Sequence, residues 1–435
     1  MIFGFRKKDD QHNNEEQEQE LAQVLFQGAL NGKDANLAKH ARLTEAGLLA
    51  AKELISNALY RRAETVWVEP KGGASAVRLL IDGVAYSGGR MRKQEAHAVT
   101  QMLKLLAGLD IKQRKNPQSG GIKADFQETP YELRVDCEPG PEGVERVIVR
   151  ARNLSQQLDT PQDLRFSDTM RSKLREMMSD RSGLLFACGS PNSGTTTTRF
   201  AIMRTVDPYI YSVFNFCDLE SRNVSHTTPF EAEADDDLEM ALTRIVRIEA
   251  DIILFDPLRD AETAKTLFSF QKKVALISEL KAKDVVHALL QLLKWVGDPQ
   301  IVTSGLRAIV GQKLIRKLCD ECKQAFSPNP KLLAKIGLPR STKALYRPAK
   351  QSEDDAGFEP CGLCDGVGYF GRVGLFEMLE MTEGLRKLVT QGAGAKAIRA
   401  QIRKEKMQTL RSEGLRLVVD GTTSLEELQR AFKAA

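Results

Sequence analysis

Apolar residues recur at helical spacing from about residue 21 to 58, as at Leu48, Ala51 and Ile55, which predicts helices there. The period then changes. Residues 65–70 alternate and end at Pro70, and residues 77–84 place apolar runs around Asp82-Gly83, predicting two strand segments and a turn signal. A helical pattern covers 94–109, residues 116–121 read as a turn, and 131–135 and 144–149 read as strands. A polar stretch at 154–168 reads as a linker. Beyond it strands alternate with helices: strand 183–188, helix 196–206, strand 211–216, helix 236–248, strand 252–255, helix 260–270, strand 274–278 and helix 283–296. That alternation predicts a parallel sheet covered on both faces. No element is read at 297–318; residues 319–375 read as loop-rich, and the tail from Leu385 as charged helix.

Composition narrows the class. The chain has 435 residues, with 63 Lys+Arg against 58 Asp+Glu and a net charge of +5, so it has room for several domains and no electrostatic footprint for nucleic acid. A 42% hydrophobic and 28% charged balance excludes a disordered, fibrous or disulfide-stapled chain. No apolar run approaches the ~18 residues of a spanning helix, and the first residues, MIFGFRKKDD, lack a signal-peptide core. The expected location is therefore cytoplasmic, where the seven cysteines are reduced thiols or metal ligands.

The apolar run 184–188 leads into Gly189-Ser190-Pro191-Asn192-Ser193-Gly194-Thr195-Thr196-Thr197 and a helical pattern. A phosphate loop, G-x-x-x-x-G-K-[ST], needs glycines so that backbone amides face phosphate, a Lys for the β/γ-phosphates and a hydroxyl for Mg²⁺. Both glycines and the hydroxyl (Thr196) are present, but the Lys position is Thr195. The spacing alone is weak, because about two such glycine pairs arise by chance in this composition. Its place at a strand-to-helix junction strengthens it, while a turn that binds no ligand stays open on these residues. Gly189, Ser193, Gly194, Thr195, Thr196 and Thr197 are the candidate nucleotide-binding residues.

Cys319-Asp-Glu-Cys322 and Cys361-Gly-Leu-Cys364 form two C-x-x-C pairs, where roughly 0.1 is expected by chance. Four thiolates close a tetrahedral Zn²⁺ shell and leave no open position, so the expected metal is structural. The 38 residues between the pairs exceed those of a compact zinc ribbon and require an inserted loop, whose closure cost grows only logarithmically. A redox pair or free core thiols are the plainer alternatives. Cys137, Cys188 and Cys217 read as small core residues.

With these elements in order, the sequence resembles the type II secretion and type IV pilus assembly ATPases over residues 50–435. Ala63-Glu64-Thr65-Val66-Trp67-Val68-Glu69-Pro70 is similar to the family's A-S-D-I-H-I-E-P, and residues 78–84 to its R-x-R-I-D-G-V. Leu106-Ala107-Gly108-Leu109-Asp110-Ile111 followed by Pro117-Gln118 resembles a further signature. Asp251, Arg259, Asp260, Glu262, Thr263 and Ala264 fit D-x-I-x-x-G-E-x-R-D-x-E-T-A, and Gln312, Arg316 and Cys319 fit Q-R-L-x-R-x-L-C. Residues 368–372, 410–414 and 421–427 resemble the family's C-terminal region. The resemblance implies an α/β architecture: a polar tail (1–20), a mixed α+β N-terminal domain (21–153), the linker (154–168), a RecA-like P-loop domain with a parallel sheet and helices on both sides (169–318), a tetracysteine zinc subdomain (319–375) and a helical C-terminal region (376–435). It further implies a hexamer with nucleotide between the two blocks, docked at an inner-membrane platform protein. In the family the tetracysteine separates assembly and secretion motors from retraction-type relatives. The stretch ahead of Leu59 is too short for the extra N-terminal domain of many members.

The departures fall on the chemistry. The phosphate-loop Lys is Thr195, and the Walker B glutamate that would polarise water falls on Pro257, after Asp256 where glycine is usual. The family's acidic pair reads Cys217-Asp218, and T-G-H-L-V-x-S-T-L-H reads as residues 272–281, with both histidines absent. Lys115-Asn-Pro-Gln-Ser-Gly-Gly121 loses the final arginine of R-L-P-Q-D-G-R. Losing one transition-state contact typically costs ~10²–10³ in rate. Asp256 and Arg199 are possible substitutes, but adjacent strand positions face opposite sides and helix geometry turns Arg199 away from the loop. Three readings follow: a weak or inactive nucleotide-binding subunit beside an active paralogue, an active ATPase driving pilin or pseudopilin movement, and an interaction protein that binds no nucleotide.

Overall fold

A computed structural model of the chain describes residues 23–140, 144–156, 158, 160–219, 224, 226–349 and 361–433. The polar tail at 1–20 lies outside them. The chain divides into two compact units, 1–157 and 158–435.

The first unit contains β1 (Leu25–Ala29), α1 (Ala41–Tyr60), β2 (Ala63–Lys71), β3 (Ala74–Ile81), β4 (Val84–Arg92), α2 (Lys93–Leu106), β5 (Gln118–Phe126), β6 (Thr129–Pro139) and β7 (Glu145–Asn153). The strands form a seven-stranded antiparallel sheet in the order β1-β5-β6-β7-β2-β3-β4. Alternate residues such as Val66, Val68, Leu133 and Val135 build one core with Ala51, Ile55, Val99 and Met102 of the two helices. Within it Lys104 Nζ pairs with Glu145 Oε1 at 2.7 Å, both buried.

Two expectations fail here. Residues 25–29 are a strand, not part of a helical run, because they pair antiparallel with β5, a partner about 95 residues away. The presumed turn at 116–121 already belongs to β5 from Gln118 onward. Gly121 serves close approach there: a Cβ would lie 2.2 Å from Leu30 Cδ1.

The second unit begins with α3 (Asp168–Ser179), β8 (Gly183–Gly189), α4 (Thr195–Met203), β9 (Val213–Phe216), β10 (Thr228–Pro229), α5 (Leu238–Arg247), β11 (Ile252–Phe255), α6 (Ala261–Ser269) and β12 (Ala275–Lys281). It continues with α7 (Val285–Val296), α8 (Pro299–Gly305), β13 (Leu306–Leu318), β14 (Gln324–Phe326), α9 (Pro330–Ile336), β15 (Leu345–Arg347) and β16 (Tyr369–Glu380). Helices α10 (Glu383–Thr390), α11 (Ala395–Lys404), α12 (Leu410–Val419) and α13 (Leu425–Lys433) complete it. The main sheet runs β10-β9-β11-β12-β8-β13-β16, parallel throughout except for antiparallel β16 at the edge. Central β8 is buried along its whole length. Its Leu184, Phe186 and Cys188 join one core and its Leu185 and Ala187 another, so both sheet faces are covered as the strand-helix alternation implies.

The largest correction is at 306–380. Residues 306–318 form a 13-residue strand, and the segment read as loop-rich ends in the 12-residue β16. These two pair from Ala308↔Glu380 to Leu318↔Tyr369, forming a ribbon that continues past the end of β8. The smaller β14–β15 pair and α9 take up the intervening chain.

Candidate functional site

Strand β8 delivers Gly189 to the sheet's carboxyl end, and the chain turns through Asn192 (φ 63°) and Gly194 (φ 87°, ψ 23°) into α4. Gly194 occupies the left-handed region that suits glycine and caps α4 without a side chain, which leaves the first backbone amides facing outward. Ser193 Oγ is buried and has no hydrogen-bond partner among the described residues. A glycine-framed helix start with an unsatisfied buried hydroxyl suits a phosphate oxygen. The backbone and hydroxyls therefore fit a nucleotide phosphate, whereas the side-chain charge does not: Thr195, half-buried, stands where a lysine is needed.

Two hydroxyls of α4 are turned toward the protein. Thr196 Oγ1 donates to Glu279 Oε1 at 3.0 Å, and Thr198 donates to Gln312 Oε1. Thr197 is half-buried on the same turn. Glu279 lies on β12 opposite Ala187 of β8 and is 6% exposed. Beside it is Arg199, 1% exposed, with Nε 3.9 Å from Glu279 Oε2 and Nη1 donating to Phe255 O at 2.7 Å. Arg199 thus reaches the end of β11 and the carboxylate that holds Thr196, and is not simply directed away from the loop. Sequence reasoning missed Glu279. Its signal was an acidic residue inside the apolar run 274–280, where burial demands a partner.

Asp256 and Pro257 directly follow β11. Asp256 is exposed, and its Oδ1 accepts from Asp218 N at 3.0 Å, while its carbonyl accepts from Ser278 Oγ at 2.6 Å. Leu258 N donates to Glu279 O at 2.7 Å, so Pro257 stands one residue from the strand that carries Glu279. Asp260 caps α6 by accepting from Thr263 N and Oγ1 at 2.8 and 3.0 Å, and these bonds hold its carboxyl below the ordinary value. The structure therefore brings together Gly189, Gly194 and Thr196 with the buried Arg199 and Glu279, and the loop carries no lysine.

The second constellation is complete. Cys319 follows β13 and Cys364 precedes β16 by a few residues, so the pairing of these strands joins two C-x-x-C segments far apart in sequence. The four Sγ atoms lie within 4.8 Å of one another, with Cys319–Cys361 at 3.8 Å and Cys322–Cys364 at 3.6 Å. Thiolates at about 2.3 Å from a tetrahedral ion stand about 3.8 Å apart, so the donor set fits Zn²⁺. Gly368 N donates to Cys364 Sγ at 3.2 Å and Cys319 N to Gly368 O at 3.0 Å, which orients the sulfurs from outside the shell. The other thiols are of a different kind. Burial pushes Cys137 up to about 12 and Cys217 up to about 11, and raises Cys188 well above its ordinary value, as expected of inert packing residues.

Comparison with known proteins places this arrangement. Residues 44–430 match the Type II/IV secretion system protein family. The type IV pilus assembly ATPase PilB of Myxococcus xanthus is 30% identical over 385 residues, covering 86% of this chain and 66% of that protein. The PilB of Thermus thermophilus is 27% identical, over 87% of this chain and 42% of its own length. The type II secretion system protein HxcR of Pseudomonas aeruginosa is 26% identical, over 88% and 76% respectively. The chain thus spans from under half to three quarters of the length of these relatives. Among solved structures, the ATPase DotB of Legionella pneumophila superposes with a TM-score of 0.57 at 13% identity, covering 89% of this chain and 96% of that one. The pilus retraction motor PilT with bound ADP gives 0.52 at 16% identity, covering 87% and 96%. Both carry the same fold. No described helix is long and apolar enough to cross a membrane. With its family match covering most of the sequence, the chain belongs to the type II/IV secretion system protein family, alongside the type IV pilus assembly ATPases and the type II secretion E proteins.

Proposed function

We propose that this chain is a nucleotide-site subunit of a type II secretion or type IV pilus machine that binds ATP–Mg²⁺ weakly and hydrolyses it slowly or not at all. It works in a hexameric ring, beside an active paralogue, at the cytoplasmic face of an inner-membrane platform protein. The observation that carries the reading is Thr196. Its hydroxyl, the group a phosphate loop offers to Mg²⁺, donates to the Glu279 carboxylate, while the neighbouring lysine position is Thr195. A triphosphate entering this loop meets backbone amides but no lysine charge, and a carboxylate 3.0 Å from Thr196 opposes it. Pro257 has no side chain able to orient the attacking water. Cys319, Cys322, Cys361 and Cys364 hold a structural Zn²⁺ that fastens the far end of the β13–β16 ribbon.

A second reading, an ATPase with rearranged groups, is favoured by the same carboxylate: Glu279 supplies near Thr196 an acid that Pro257 lacks. Equilibrium titration of the full chain with ATP–Mg²⁺ tests the first reading. Thr195→Lys restores a charge-assisted phosphate contact and is expected to tighten binding about 10- to 100-fold. Tight micromolar binding by the unaltered chain, with no gain from the lysine, contradicts it.

A further inference from the structure

A cavity of about 370 Å³ opens on the second unit, away from the phosphate loop's own residues. Its wall is made where the starts of α7 and α12 meet β13, β16, α11 and the end of α13. The volume lies in the range of small-molecule sites, about 300–1,000 Å³, and suits a compact ligand better than a protein surface.

Its charge is unbalanced. Five basic residues line it (Lys283, Lys313, Arg399, Arg403 and Arg411) against two acidic ones, Asp284 and Glu377. Both acids are engaged within the fold. Asp284 caps α7 and accepts from Arg399 Nη2 at 2.8 Å. Glu377 Oε1 accepts from Val285 N at 3.0 Å, and its carboxylate also takes the Leu410 amide. Arg403 and Arg411 are exposed, and their side chains make no hydrogen bond or ion pair among the described residues. Among the described residues Lys313 Nζ donates only to the Ala431 carbonyl, at 3.3 Å, and it faces the Phe432 ring at 5.6 Å. Burial and the nearby Lys283 both pull Lys313 below the ordinary lysine value, and outweigh the opposing pull of Glu377 and Asp284. The rest of the wall is Val285, Val286, Ile402, Leu410 and Phe432, with Thr409, whose hydroxyl caps α12, the remaining polar residue.

We propose that this cavity binds a small phosphate-bearing anion of nucleotide size, its phosphates held by Lys313, Arg403 and Arg411 and its organic part against Phe432 and Ile402. Arginine forks and a lysine point charge match phosphate oxygens, and an aromatic wall beside them suits a planar base. The site is separate from the phosphate loop yet adjoins it through the chain. On β13 Gln312 touches Thr198 of α4, and the next residue, Lys313, faces the cavity. The strand therefore presents one side chain to each site.

The proposal does not rest on how the phosphate loop performs, and the test keeps the two apart. The full chain, never exposed to chelator, is titrated calorimetrically in buffer without added Mg²⁺ with pyrophosphate and with ATP, and with a hexaglutamate peptide for comparison. Expected is one phosphate ligand per chain, weakened by added salt and about tenfold or more by Arg403→Glu/Arg411→Glu, and retained in Thr196→Ala. Lys313→Gln, a neutral change on a strand, should weaken binding as well, which guards against misfolding of the arginine variant. Three results overturn the proposal: no binding of either phosphate at millimolar concentration, binding lost in Thr196→Ala but kept in the arginine variant, or preference for the acidic peptide.

Discussion

The tetracysteine cluster and the phosphate loop lie in the same unit, and each depends on a strand leaving the sheet's carboxyl end. In the cluster, the β13–β16 register delivers four like donors whose only requirement is convergence, and they converge to within 4.8 Å. In the loop, β8 and Gly194 deliver a helix start of the right shape, but its side chains carry different chemistry. Thr195 stands where a phosphate loop places its lysine, and the buried charges nearby are Arg199 and Glu279, 3.9 Å apart. Backbone scaffolding and catalytic charge are thus written in separate residues.

The strongest way to break this comparison is to remove a thiol. Cys319→Ser or Cys364→Ser is expected to drop bound zinc from about one per chain to near zero and to open the segments 319–347 and 361–369 to proteolysis, since structural zinc contributes of order 10 kcal/mol to local folding. Unchanged metal content in either variant removes the cluster from the account. Next in size is the buried pair. Arg199→Leu leaves the Glu279 carboxylate without its neighbouring cation and should destabilise the unit by about 3–5 kcal/mol in a denaturant melt, with Arg199→Leu/Glu279→Thr recovering most of the loss. A loss in the double variant equal to the sum of the losses in Arg199→Leu and Glu279→Thr would show that the two residues are uncoupled.

Glu279→Thr sharpens the contrast further, because it frees Thr196 and removes a negative charge from the loop. Binding of ATP–Mg²⁺ should tighten by several-fold, about 1 kcal/mol. If turnover is present and Glu279→Thr abolishes it, the rearranged-ATPase reading replaces the weak one.

The smallest effect is at the cysteine end of the ribbon. Burial alone would raise Glu427, yet hydrogen bonds from Arg430 and Arg316 prevail and hold it below the ordinary glutamate value. A depressed carboxyl contributes stability that is present above its unfolded value, about 4.3, and is lost as pH falls through its lower folded value. Glu427→Gln should therefore flatten the acid limb of stability below about pH 4.5 and leave its slope near neutrality unchanged. An unaltered acid limb would show that this pair does not secure the ribbon.

Much of this was legible in the sequence because it is local. The run Leu184–Cys188, the two glycines after it and the strand-helix alternation are short-range patterns, and they locate the loop within a residue or two. The cysteine pairs were legible by spacing alone. Their convergence was not, since it depends on Leu318 pairing with Tyr369 across 50 intervening residues, and no periodicity encodes that register. β1 was misread for the same reason, its strand state being set by β5. Glu279 stood in plain view within an apolar strand, but which hydroxyl and which arginine it meets is decided by the β8–β12 register and the rotation of α4. Local pattern locates most elements; long-range pairing fixes partners and, at β1, the element itself.

The central claim, a kept scaffold with displaced charge, is tested most directly by steady-state ATP hydrolysis of the purified full chain with Mg²⁺, run beside its Thr196→Ala variant. The account predicts turnover indistinguishable between the two, at the level of the buffer and contaminant background. Clear turnover in the unaltered chain that Thr196→Ala abolishes would contradict it.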